Sequence, residues 1–222
     1  MGSEMCIRDS PAYNAQNDRW IRIDDTNGAD RYLGRSKHPQ SAMFLGVVAS
    51  TGESSPPIWF PSGFRLGSEQ YIAVLRKTLL PWMRGIAQHH GTANNPMPWV
   101  FQQDSAPAHR AKRTLDFLKD QNVSFWSPEK WPPSSPDLNP LDYSIWSMVS
   151  QGACSEPVSS VTALKRRVGS FWSKMDPAVI RKICQRFRPR LEECIEQNGS
   201  FFRLKVQNVR KKILKCVKGI AQ

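Results

Sequence analysis

"WVFQQDSAPAH", residues 99–109, decides the fold. An apolar run ends in Asp104, and a turn containing Pro107 follows at once. Proline is well suited to the first turn of a helix, where its missing N–H costs nothing, and Ser105 is in place to cap that helix. Ala108, Ala111, Leu115 and Leu118 recur at the spacing of one buried helical face. "VSFWS" (123–127) then reads as a second strand. The order strand–helix–strand predicts a crossover with a carboxylate at the carboxyl end of its first strand, the end at which open α/β sheets bind ligands. A structural turn accepts Asn, Ser or Asp equally well. A cation site requires the carboxylate.

Upstream of this unit, "RWIRID" (19–24) alternates like a strand, and "SAMFLGVVAS" (41–50) reads as a buried strand. "PPIWF" (56–60) is β-prone and pairs with it across "STGESS". Residues 68–89 have helical periodicity through Ile72, Leu75, Leu79 and Met83, with Ser68 as the cap and a kink expected at Pro81. Downstream, "PEKWPPSSPDLNP" (128–140) is too rich in proline for helix or central strand. Asn139 and Pro140 open a helix that carries Asp142, Leu141, Ile145, Trp146 and Val149. Further helices are predicted near 159–174, 176–197 and 203–218, the last one basic. These elements predict an α/β domain, a mixed sheet flanked by helices, with a helical, basic C-terminal part.

The net charge of +12 is confined to one region. Residues 160–222 hold 16 Lys and Arg against 4 Asp and Glu, whereas residues 1–159 sum to zero. Such a surface suits a polyanion, although a solvated helical face has the same composition. No apolar run approaches the roughly 18–20 residues of a membrane span. The five cysteines, at 6, 154, 184, 194 and 216, form no close pair and have no histidine at zinc-finger spacing, so they read as reduced thiols of an intracellular protein. His38, His89 and His90 read as surface loop residues.

Asp142 lies 38 positions after Asp104, in the first turn of its helix. Taken alone, an acid there is explained by the helix dipole, worth about 0.3–1 kcal/mol. The pair carries more. In "WVFQQDSAPAH" and "WPPSSPDLNPLDYSIW", and more weakly in "NAQNDRW" and "HPQSAMFLGVVASTG", the chain resembles the mariner-like DNA transposases over roughly residues 11–200. That resemblance implies the RNase H-like fold of the retroviral-integrase superfamily. It also implies that Asp104 and Asp142 are the second and third catalytic acids. The implied cofactor is Mg²⁺, with Mn²⁺ as substitute and two ions in an intact relative. The implied partners are double-stranded DNA, both transposon ends and target, and a second subunit, in the nucleus and with no role for a membrane. Two carboxylates about 4 Å apart repel by about 4 kcal/mol at an effective dielectric near 20, and cations or a shared proton are needed to hold them together. Two Mg²⁺ ions about 3.5–4 Å apart stabilise both the attacking and the leaving oxygen of a phosphodiester.

Other residues have weaker signals. His109 is placed to support the metal shell or simply to pack. Arg110, Lys112 and Arg113 are candidate DNA-phosphate contacts, and Trp131 is a candidate for stacking on a base. The family's first acid falls near position 3, where Ser3 stands. Residues 1–10, "MGSEMCIRDS", resemble a translated sequencing adapter and are read as a leader foreign to the fold. The expected organisation is therefore a leader (1–10), a truncated RNase H-like core (11–152) and a helical basic part with its tail (153–222). With one acid missing, phosphoryl transfer is expected to fall thousands-fold, at about 1.4 kcal/mol per tenfold. The alternative is a transposase remnant that binds nucleic acid without catalysis.

Overall fold

The computed structural model describes residues 41–92, 94–132, 135–153 and 158–197, together with the backbone of residues 2–8. Its sheet has the order β1 (Gly2–Arg8), β2 (Ser41–Val47), β3 (Ile58–Phe60), antiparallel throughout. Gly2 stands opposite Val47 and Arg8 opposite Ser41; Met43 faces Phe60 across the other edge. Such a ladder is made of backbone groups, so the β1 pairing states where residues 2–8 lie and says nothing of their origin. The strand expected at 19–24 and the basic helix expected at 203–218 fall outside the described residues.

Alternation along β2 divides the core in two. Ala42 and Phe44 face one layer, with Leu141, Ile145, Trp146, Leu164, Val168 and Trp172. Leu45 and Val47 face the other, with Tyr71, Leu75, Leu79, Phe101, Phe117 and Leu118. The sheet is therefore sandwiched between two sets of helices. Gly46 makes the first layer close-packed: a Cβ there would lie 2.5 Å from Trp172 Cη2 and 3.0 Å from Trp146 Cη2. The two indoles stack at 5.6 Å, and Phe44 meets each edge-on. Trp172 Nε1 donates to the Ser55 carbonyl at 2.6 Å, which satisfies the polar end of a buried indole.

The second layer begins with α1 (Ser68–Val74), which runs through a π-helical turn (Leu75–Leu79) into α2 (Leu80–His89). The wide turn comes just before Pro81, whose missing N–H leaves the regular ladder one donor short. Gly67, not Ser68, is the N-cap residue, and no side chain caps it. The single helix expected after Asp104 is two, α3 (Pro107–Arg110) and α4 (Lys112–Asp120), because Ala111 has extended backbone at ψ 132°. Ser105 does not cap it; the N-cap is Ala106. Neither crossover strand expected at 99–103 and 123–127 forms as a strand. Phe101 and Phe125 form an isolated parallel bridge, through Phe101 N to Ser124 O at 2.8 Å and Trp126 N to Phe101 O at 3.1 Å. Pro96, Pro98 and Pro128 bracket both segments and remove the donors a longer ladder needs.

After a 3₁₀ turn (Pro136–Leu138), a π-helical turn (Leu141–Ile145) leads into α5 (Trp146–Ala153). Then follow α6 (Val161–Ser173), α7 (Pro177–Gln185) and α8 (Phe187–Glu196). The helix expected over 176–197 is thus divided at Arg186. No described helix is long and apolar enough to cross a membrane.

Candidate metal centre

Asp104 and Asp142 arrive from opposite halves of the core and line one pocket, of about 260 Å³, with Ser105, Ala106, Trp131, Ser135, Pro136 and Asn139. Asp104 ends the segment anchored by Phe101 in the second layer. Its Oδ1 accepts from Ala106 N at 2.9 Å and from His109 Nδ1 at 2.7 Å. Asp142 sits on the turn whose neighbours Leu141 and Ile145 are buried in the first layer.

Asn139 organises that turn. Its Oδ1 accepts from Leu141 N at 3.1 Å, its carbonyl accepts from Asp142 N and Tyr143 N, and its Nδ2 donates to Asp142 Oδ2 at 2.8 Å. The capping role expected from the sequence is therefore present, and the bond to Asp142 is an addition to it. Burial, and secondarily the charge of Asp104, push the Asp142 carboxyl up from 3.8 to about 6; Asn139 opposes the shift. The Trp146 indole N–H also opposes it.

The C-terminal helices hold the Asp142 turn from outside. Tyr143 Oη donates to Ile183 O at 2.6 Å, and the Arg190 guanidinium lies 4.0 Å from the Tyr143 ring centroid. Arg190 Nη1 also donates to Asp137 O at 3.0 Å, which ties α8 to the proline-rich loop. Nothing in the sequence pattern marked Tyr143 or Arg190. A signal for a buried polar network was present in "QQD": two amides at the end of an apolar strand require partners once buried.

His109 is wholly buried behind Asp104 and does not open onto the pocket surface. Trp131 is 7% exposed and packs on Leu138, yet it also lines the pocket. Arg110 on α3, and Lys112 and Arg113 on α4, are exposed. Position 3, where the first acid was expected, lies in β1 opposite Gly46, and β1 runs beside the Leu141–Ile145 turn. Among the described residues, no group of three or more His, Cys, Asp or Glu converges on a point. The donor set nevertheless fits a hard divalent cation: two carboxylates share one pocket, and one of them is destabilised as an anion by the other.

The sandwich has the RNase H-like fold of the Mos1 transposase catalytic domain. The relatives of this chain in sequence are Tc1/mariner transposases. The chain is 25% identical over 129 residues to the Tcb1 transposase of Caenorhabditis briggsae, covering 58% of this chain and 43% of that one. It is 25% identical over 192 residues to the Tc3 transposase of Caenorhabditis elegans, covering 81% and 54%. The chain thus spans about half the length of the curated relatives it matches. Among solved structures, a Mos1 transposase paired-end complex with the left transposon end superposes with a TM-score of 0.70 at 18% identity, over 91% of this chain and 55% of that one. The Mos1 catalytic domain with Raltegravir and Mg superposes with a TM-score of 0.63 at 18% identity, over 73% and 78%. No family model matches the chain.

Proposed function

We propose that this chain is part of a DNA transposase catalytic domain whose intact form cleaves transposon ends and joins them to target DNA by phosphoryl transfer. The observation that carries this reading is the convergence of Asp104 and Asp142 on one pocket from separate halves of the core. Asp104 and Asp142 would hold Mg²⁺, or Mn²⁺ in its place; both metals occur in the Mos1 catalytic-domain structures. Bound divalent cations supply activation of the attacking oxygen and charge neutralisation at phosphorus and the leaving oxygen. The chain's own part is to fix two carboxylates on rigid elements and to keep Asp142 desolvated. Exposed Arg110, Lys112 and Arg113 contribute phosphate contacts, and Trp131 forms the pocket wall beside the DNA. Double-stranded DNA, a second subunit and the nucleus are the partners and place that go with this function; the Mos1 paired-end complexes support DNA.

Among the described residues two carboxylates and no third line the pocket, and on that basis binding without turnover is the expected behaviour of this polypeptide. The experiment is nicking of duplex DNA in Mg²⁺ or Mn²⁺, alongside a DNA-binding titration in rising salt. The expected result is salt-sensitive binding and no cleavage above background. Metal-dependent nicking that Asp104→Ala abolishes would overturn the inactivity. Loss of both DNA and metal binding would overturn the transposase reading itself.

A further inference from the structure

We infer that Tyr71 and Gln103 are positioning residues for Asp104, acting through His109; this rests on Asp104 being a metal ligand. Tyr71 Oη donates to Gln103 Oε1 at 2.9 Å. That bond fixes the amide orientation, and Gln103 Nε2 then donates to the His109 carbonyl at 3.1 Å. The Tyr71 and His109 rings pack with centroids 4.1 Å apart. His109 Nδ1 closes the line on Asp104 Oδ1 at 2.7 Å. An ionised carboxylate only accepts, so Nδ1 carries the proton.

All three side chains are buried in or beside the second core layer. Apolar residues would fill that space without the cost of desolvating a phenol, an amide and an imidazole. A line of buried polar groups that ends on a carboxylate at a pocket has a better explanation than packing. It sets the position and rotation of the His109 backbone, hence of its ring, hence of the Asp104 carboxylate plane. The Ala106 N–H holds the same oxygen from the other side. Outer partners of this kind typically contribute 10–100-fold to metal affinity or activity.

The test compares Tyr71→Phe and Gln103→Leu with Ser55→Ala, which removes the buried hydroxyl that accepts from Val47 N away from the Asp104 pocket. Mn²⁺ affinity is read by water-proton relaxation. About tenfold weaker binding is expected for the first two variants and none for the third. Unchanged affinity in Tyr71→Phe and Gln103→Leu overturns the inference. The metal-free readout is the His109 Nδ1–H resonance, expected downfield and slowly exchanging in the parent and broadened or lost in Tyr71→Phe. Its persistence there overturns the inference as well. Equal Mn²⁺ affinity of the parent and Asp104→Asn would remove the metal reading, and the His109 signal then decides alone whether the lock on Asp104 exists.

Discussion

The two acids of the site are held in opposite ways. Asp104 is gripped by donors, a backbone N–H and a buried imidazole on the same oxygen. Asp142 has one donor, Asn139 Nδ2, but is placed chiefly by hydrocarbon: its turn is held in the first core layer by Leu141 and Ile145, and burial and Asp104 oppose its charge more than Asn139 supports it. One carboxylate is therefore placed by polar chemistry at the end of a strand segment. The other is placed mainly by packing, at a cost in charge that Asn139 offsets in part and a proton or a cation would offset further. On the proposed reading, a cation bound between the two carboxylates would offset that cost.

The largest effect expected from this contrast is on metal binding. Asp104→Asn should weaken Mn²⁺ binding by at least about 100-fold, beyond the range of outer-shell partners, and Asp142→Asn should do the same. An affinity within a few-fold of the parent for either would break the pairing of the two acids.

The next effect tests the packed side of the contrast. Gly46→Ala drives a methyl group into the Trp172–Trp146 stack and is expected to destabilise the domain by about 2–3 kcal/mol in urea unfolding. A smaller loss would mean that the Asp142 turn rests on a softer layer than described.

The third effect is opposite in sign. The folded Asp142 carboxyl lies near 6, above its unfolded value, so the folded state binds the extra proton between about pH 4 and 6. Its contribution to stability is greatest below that window and falls as pH rises through it. Asp142→Asn, which removes the buried charge and keeps the shape, is expected to stabilise the domain by about 1–2 kcal/mol above pH 7, discounted for partial exposure, and by nothing near pH 4. A stability gain independent of pH would count against burial of the charge.

The smallest effect sharpens the role of Asn139. Asn139→Ala removes a cap and a donor to Asp142, and should cost about 1 kcal/mol while moving the Asp142 midpoint upward, measured by carboxyl ¹³C shifts.

The same contrast explains what could be read from the sequence. Asp142's surroundings were legible because packing leaves a periodic trace: Leu141, Ile145, Trp146 and Val149 recur as expected, and Asn139–Pro140 announces the helix start. Asp104 was legible as the end of an apolar segment next to a proline turn, although that segment forms an isolated bridge and not the expected strand. Its supporting line was not, because Tyr71 joins Gln103 across 32 positions and no local rule links them. The break at Ala111 and the division at Arg186 were missed for a related reason: both lie inside stretches whose apolar spacing continues unbroken, and the backbone departs from it locally. The crossover segments were read as strands because apolar content marks burial, whereas the prolines around them limit pairing to an isolated bridge.

The central claim is that Asp104 and Asp142 form one cation-binding pair. The most direct measurement is stability against pH, from pH 4 to 8, with and without saturating Mg²⁺, in the parent and in Asp142→Asn. Without metal, the parent is expected to lose stability relative to Asp142→Asn as pH rises through the window that ends near 6. With Mg²⁺ that loss should be cancelled or reversed above pH 6, and Asp142→Asn should not respond. Identical parent curves with and without Mg²⁺ would contradict the claim.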